Sequence, residues 1–129
     1  MLTTEKQLAL ELGEIDTMPV AAGVTIFQGA AIGLKDGFAR PLQRGDIFMG
    51  FAMETSIRER VNLRCRGKLE VRLSHVAPED VLRGVYMTDD ETFTFDGHGN
   101  SRVGYVRRYI SPDTCVIEFG PQLPPEKKS

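Results

Sequence analysis

The 129-residue chain has no tryptophan, only two cysteines and two histidines, and no long apolar run. Each shortage removes a class of protein. No stretch approaches the roughly 20 apolar residues that a bilayer-spanning helix needs, so no membrane association is expected. Residues 1–13 lack a basic region followed by an apolar one, which predicts no secretory signal and a chain that matures in a cytosol. Cys65 and Cys115 cannot complete a zinc site by themselves. In a reducing compartment they read as two small apolar core residues rather than a disulfide. His75 and His98 have no partner at metal-ligand spacing, and Asp89-Asp90-Glu91 lacks the alternating carboxylates and glycine of a calcium loop. No metal site is expected. Neither Gly-x-Ser-x-Gly nor a phosphate-cradling glycine motif occurs, so the sequence predicts no enzyme and no cofactor.

What the chain does have is glycine punctuation, with 13 glycines breaking up runs rich in Val, Ile, Phe and Tyr. The runs fall at 24–27, 30–34, 47–53, 60–74, 85–88, 92–95, 102–110 and 114–119. Many short strands with glycine turns predict an all-β fold, a small barrel or sandwich. The 41% hydrophobic and 26% charged fractions suit one ordinary globular domain. It is placed at 18–120, between an N-terminal arm at 1–17 and an extended, flexible tail at 121–129 that carries three prolines.

The run at 45–53 opens on the turn pair Gly45-Asp46 and is apolar at both parities. It predicts a central strand buried on both faces, with Gly50 admitting a bend or a close neighbour. Between 60 and 74, Val61, Leu63, Cys65, Leu69, Val71 and Leu73 keep one parity and charged residues the other. A single strand bent at Gly67 fits best; a three-residue hairpin over Arg66-Gly67-Lys68 is also allowed. Asp96-Gly97-His98-Gly99-Asn100 predicts a hairpin loop between 92–95 and 102–106. In the arm, Thr4 and Gln7 fit a capping box, and Leu8, Leu12 and Ile15 fall at helical spacing. Yet Leu8, Leu10 and Leu12 also alternate as an extended segment would. Either way the arm needs something to lie on, a neighbouring subunit or its own domain.

The charges are segregated. Residues 40–72 hold eight basic side chains against four acidic ones, whereas 79–96 hold six acidic against Arg83 alone. Such a chain can dock on copies of itself or on a charged partner. The basic stretch has no interleaved aromatics and the net charge is −2, so no nucleic-acid partner is expected.

Several blocks then align with one family. Ala22-Gly23-Val24, Gly29-Ala30-Ala31-Ile32-Gly33-Leu34 and Gly37-Phe38-Ala39-Arg40-Pro41-Leu42 precede Gly45-Asp46-Ile47-Phe48-Met49-Gly50-Phe51-Ala52. Arg66-Gly67-Lys68-Leu69, Gly84-Val85-Tyr86-Met87-Thr88-Asp89-Asp90, Arg102-Val103-Gly104-Tyr105-Val106 and Cys115-Val116-Ile117-Glu118-Phe119 follow. In order and spacing this resembles the capsid decoration (cement) proteins of tailed bacteriophages, over about residues 20–120. The charged piece 55–60 and the arm depart from that pattern. The resemblance implies a non-enzymatic virion protein, assembled in the host cytoplasm, that sits on the exterior of the expanded head. Its partners would be the major capsid protein and itself, as a dimer or trimer. Exposure and charge nominate Leu8, Leu10, Leu12 and Ile15 of the arm as contact residues. Arg58, Arg60, Arg64, Arg66 and Arg72 are nominated as a basic contact face. Two rival readings are a tail or baseplate β binding module and a small virus-encoded β-fold hydrolase acting on nucleotides.

Overall fold

The computed structural model describes residues 14–121 as two antiparallel sheets of five strands each, with no α-helix among them. The first sheet holds β1 (Ile15–Pro19), β2 (Ala31–Lys35), β3 (Phe38–Pro41), β4 (Ile47–Ala52) and β5 (Arg60–Arg64), in the order β1-β5-β4-β2-β3. The second holds β6 (Gly67–Arg72), β7 (Gly84–Met87), β8 (Phe93–Thr94), β9 (Ser101–Ser111) and β10 (Thr114–Phe119), in the order β6-β10-β9-β7-β8. A single 3-10 turn, Pro78–Asp80, links β6 to β7. The expected all-β architecture is therefore a sandwich.

β4 is the middle strand of the first sheet. Its ladder with β2 slips between Ile32↔Gly50 and Gly33↔Phe48, leaving Met49 as an extra residue. Such a bulge reverses strand parity. Phe48 and Phe51 consequently point into the same core, 5.2 Å apart edge to face, while Ala52 and Met49 join the other. Ile47 and Met53 at the two ends are exposed, so the expectation of two fully buried faces holds only for the strand's interior. Gly50 admits a close neighbour, because a Cβ there would run into the Arg64 carbonyl oxygen.

Two cores result. Between the sheets, Phe48 and Phe51 meet Phe119 at 6.3 and 4.9 Å, packed among Val85, Met87, Val103 and Ile117. The first sheet also wraps a smaller core of its own, Val20, Ile26, Ile32, Ala39, Val61 and Leu63. It does so by curling until β1 and β3 approach, joined by one parallel bridge, Val20↔Ala39.

The alternating stretch 60–74 is neither one bent strand within a sheet nor a hairpin. It leaves the first sheet at Arg64 and enters the second at Gly67, so its two halves serve different cores. Val61 and Leu63 fill the small core; Val71 and Leu73 fill the large one. Parity survives the crossing because both cores lie on the same side of the chain. Three further expectations are corrected. Residues 24–27 form a loop, since Ile26 is held by the Ser56 hydroxyl and backbone instead of a ladder. The strand 93–94 pairs with β7, not β9, through the acidic turn Asp89-Asp90-Glu91. Ile15 and Thr17, assigned to the arm, pair with Arg64 and Asn62 within β1. Residues 1–13 of the arm, Leu8, Leu10 and Leu12 included, and the tail after Pro121 lie outside the described residues.

Candidate partner-binding face

Strand pairing decides which side chains share a surface. β6 turns Val71 and Leu73 inward, so Lys68, Glu70 and Arg72 point outward. Their directly opposed neighbours on β10 are Glu118, Val116 and Thr114. On β9 the same face carries Tyr105 opposite Glu118 and Arg108 opposite Val116. A bulge between those pairs adds Arg107, and Arg102 lies opposite Tyr86 of β7. Bulges add a side chain to a face that strict alternation would deny it.

The outer face of the second sheet thus has five basic groups (Lys68, Arg72, Arg102, Arg107 and Arg108) and two acidic ones (Glu70 and Glu118). It is positive by three on a chain of net charge −2, which leaves −5 for everything else. Within that balance Glu118 is engaged: Tyr105 donates its hydroxyl to Oε2 at 2.6 Å and Arg107 Nε stands 3.8 Å from Oε1. That hydrogen bond, reinforced by burial, raises the Tyr105 phenol above its ordinary range. Arg72 has Asp113 at 3.6 Å, but both side chains are mostly exposed and the pair is weak. Lys68, Arg102 and Arg108 take part in no ion pair among the described residues. Tyr86 is the register partner of Arg102, and its ring leaves no room for a side chain at Gly97.

The basic face expected from 58–72 is divided by the sheet crossing. Arg60 and Arg64 stand on β5 in the first sheet, and Arg64 approaches Glu14 at 3.8 Å. Arg58 occupies the tip of a tight turn, Ile57-Arg58-Glu59-Arg60, whose two central residues both have positive φ, 53° and 61°. Arg66 is exposed at the crossing, where it borders Tyr105 and Glu118 at the rim of the second sheet's outer face, and Arg72 stands on that face within β6. Arg102, Arg107 and Arg108 were missed because neutral residues separate Arg102 from the other two. Ile15 is partly exposed on β1, an edge strand.

Among the described residues no three His, Cys, Asp or Glu side chains cluster to hold a metal, and no helix is long and apolar enough to cross a membrane. Asp89 spends its carboxylate on its own turn, accepting from the Glu91 and Thr92 amides at 2.9 and 2.8 Å. Cys115 is buried and Cys65 half-buried; both are free, and burial raises both thiols. The arrangement is a charged sheet face. No family model, curated protein or solved structure matches the chain.

Proposed function

We propose that this protein is a capsid decoration protein of a tailed bacteriophage, acting by binding rather than catalysis on the exterior of the expanded head. The observation that carries the reading is the one-sided charge of the second sheet, positive by three on a chain that is otherwise acidic. A basic sheet face suits an acidic lattice surface, and many copies on one lattice make modest individual contacts sufficient. Capsomer junctions of the major capsid protein are the docking site in this reading, with further copies of the chain as neighbours. Arg102, Arg107 and Arg108 replace most of the sequence-nominated arginines as the first residues to test.

The test is co-sedimentation of the purified protein with expanded and unexpanded heads. Binding to expanded heads alone is expected, with at least a tenfold loss for the combined Arg102→Glu and Arg108→Glu variant and recovery at neither low nor high salt. Equal binding by the variant, or retention of the wild-type protein by single-stranded DNA in place of heads, overturns the reading.

A further inference from the structure

β6 is an edge of the second sheet, and its outer side is chemically open. The Leu73 amide donates to the Asp113 carbonyl on the β10 side. By alternation Leu69 and Val71 also turn their backbone groups to β10. Those of Lys68, Glu70 and Arg72 point away from the sheet and have no partner among the described residues. Such an edge is a template for another strand, and folded proteins blunt it with repeated lysines, prolines or bulges. β6 has neither proline nor bulge, and its outward charges alternate in sign: Lys68, Glu70, Arg72. Leu69 is 37% exposed on the same edge. Beside the edge runs a groove lined by Phe51, Met87, Asp90 and Glu91.

We propose that this edge binds a second copy of the chain, β6 against β6, antiparallel about a two-fold axis at Val71. Of the two-fold registers centred on Leu69, Glu70 or Val71, charge selects one. An axis at Glu70 sets Glu70 against Glu70 and Lys68 against Arg72 of the second copy, like charges throughout. An axis at Leu69 matches Lys68 with Glu70 but sets Arg66 against Arg72. An axis at Val71 opposes Glu70 to Arg72 on both sides of the axis, leaves Lys68 opposite Ser74, and creates no like-charged pair. Opposite charges directly across a pair of strands favour it, and like charges oppose it. On the other face this register sets Val71 against Val71 and covers the exposed Leu69 with Leu73 of the second copy. The incoming strand brings two basic residues and one acidic to a groove that carries Asp90 and Glu91. The edge is thus complementary to itself, as a two-fold interface requires. One strand from each copy makes a small junction, so association is expected at micromolar rather than nanomolar concentration. The pairing concerns the isolated molecule and a different part of the sheet, so it can fail while the decoration reading stands, and the reverse.

The test uses the full chain in solution, without heads. Sedimentation over a concentration series is expected to show a monomer passing to a dimer. Glu70→Arg, which puts like charges opposite each other, is expected to raise the dissociation constant roughly tenfold or more. Adding Arg72→Glu restores opposite charges at unchanged net charge and is expected to restore the dimer. With the axis at Leu69 the same double variant would leave Lys68 facing the new arginine and restore nothing. A chain that stays monomeric, a dimer indifferent to Glu70→Arg, or a double variant that is not rescued overturns the proposal. A second measurement reads the edge directly. In the natural sequence the amides of Glu70 and Arg72 are expected to exchange with deuterium more slowly in the dimer than after dilution, while Val106 and Ile117 exchange alike in both. Edge amides whose exchange ignores concentration overturn the proposal equally. In this register the two Val71 residues form a non-hydrogen-bonded pair, the closer pair type and within disulfide reach. Val71→Cys with Cys65→Ser is expected to cross-link at dimer mass on mild oxidation; cross-linking through Glu70→Cys in its place overturns the register.

Discussion

The two sheets are made from the same alternating strands, yet they use their faces differently. The first curls round a core of its own and also lends Phe48 and Phe51 to the core between the sheets, so apolar side chains occupy both of its faces. The second keeps one face for the shared core and leaves the other wet and basic. A bulge at Met49 makes the first arrangement possible by letting a single strand feed both cores. The bulge in β9 serves the second by turning an additional arginine outward. One sheet is built to hold the body together and the other to present a surface.

That contrast can be broken in four ways. The largest effect is expected from Phe48→Ala, which removes a fully buried ring that joins the sheets. A loss of about 3–5 kcal/mol in denaturant unfolding is expected, with both sheets melting together. Separate transitions would show that the first sheet stands on its small core alone. Next comes Asp46→Asn. Burial by itself would raise this carboxyl, but two Arg40 hydrogen bonds at 3.0 and 2.7 Å and the Gln43 amide overcome it and hold its pKa below the usual range. The variant is expected to lose about 1–2 kcal/mol.

The same depressed pKa fixes the pH dependence. A carboxylate whose folded pKa lies below its unfolded value stabilises fully above the unfolded value, about 4, and ceases to do so as pH falls through the folded one. Asp89 and Asp113, both lowered, act in the same sense on the second sheet. Thermal midpoints should therefore hold steady from neutral pH to about pH 5 and fall below pH 4. A fall already complete at pH 5 would implicate other groups. The smallest effect should come from the turn at the first sheet's rim. Replacing Arg58-Glu59 by Asn-Gly, which tolerate positive φ, is expected to gain about 1 kcal/mol; a loss would mean that those side chains hold the turn.

How much of this was legible beforehand follows from the range of each signal. Alternation in 60–74 placed Val61, Leu63 and Val71 on the inward face, where they are found, because parity is a local property; it placed Leu69 there as well, and that side chain is exposed at the sheet's edge. Nothing local distinguishes a strand that stays in one sheet from one that crosses to another. The hairpin β2–β3 was overlooked although Asp36-Gly37, both with positive φ, is a strong two-residue turn signal; Arg40 and Pro41 disguised the second strand. The loop at 96–100 offered the opposite trap. Its turn residues suggested a hairpin, but β7 had already paired with β8 through Asp89–Thr92. The basic face was read along the chain, where Arg58 to Arg72 are neighbours, whereas the structure assembles it from β6 and β9 on either side of β10. Surfaces of that kind come from pairing register, which sequence spacing does not encode.

The crossing at Cys65–Gly67 also settles where a fusion partner would emerge. Glu14 is hydrogen-bonded at Cys65, and Phe119 lies opposite Gly67 two residues before Pro121, so both ends of the described body flank the same short segment. In a chain trimmed to residues 14–121, cargo attached at either end would leave from one pole. A short linker could join the two ends and let the chain be reopened at the exposed Asp36-Gly37 tip, a circular permutant with the two-sheet body intact.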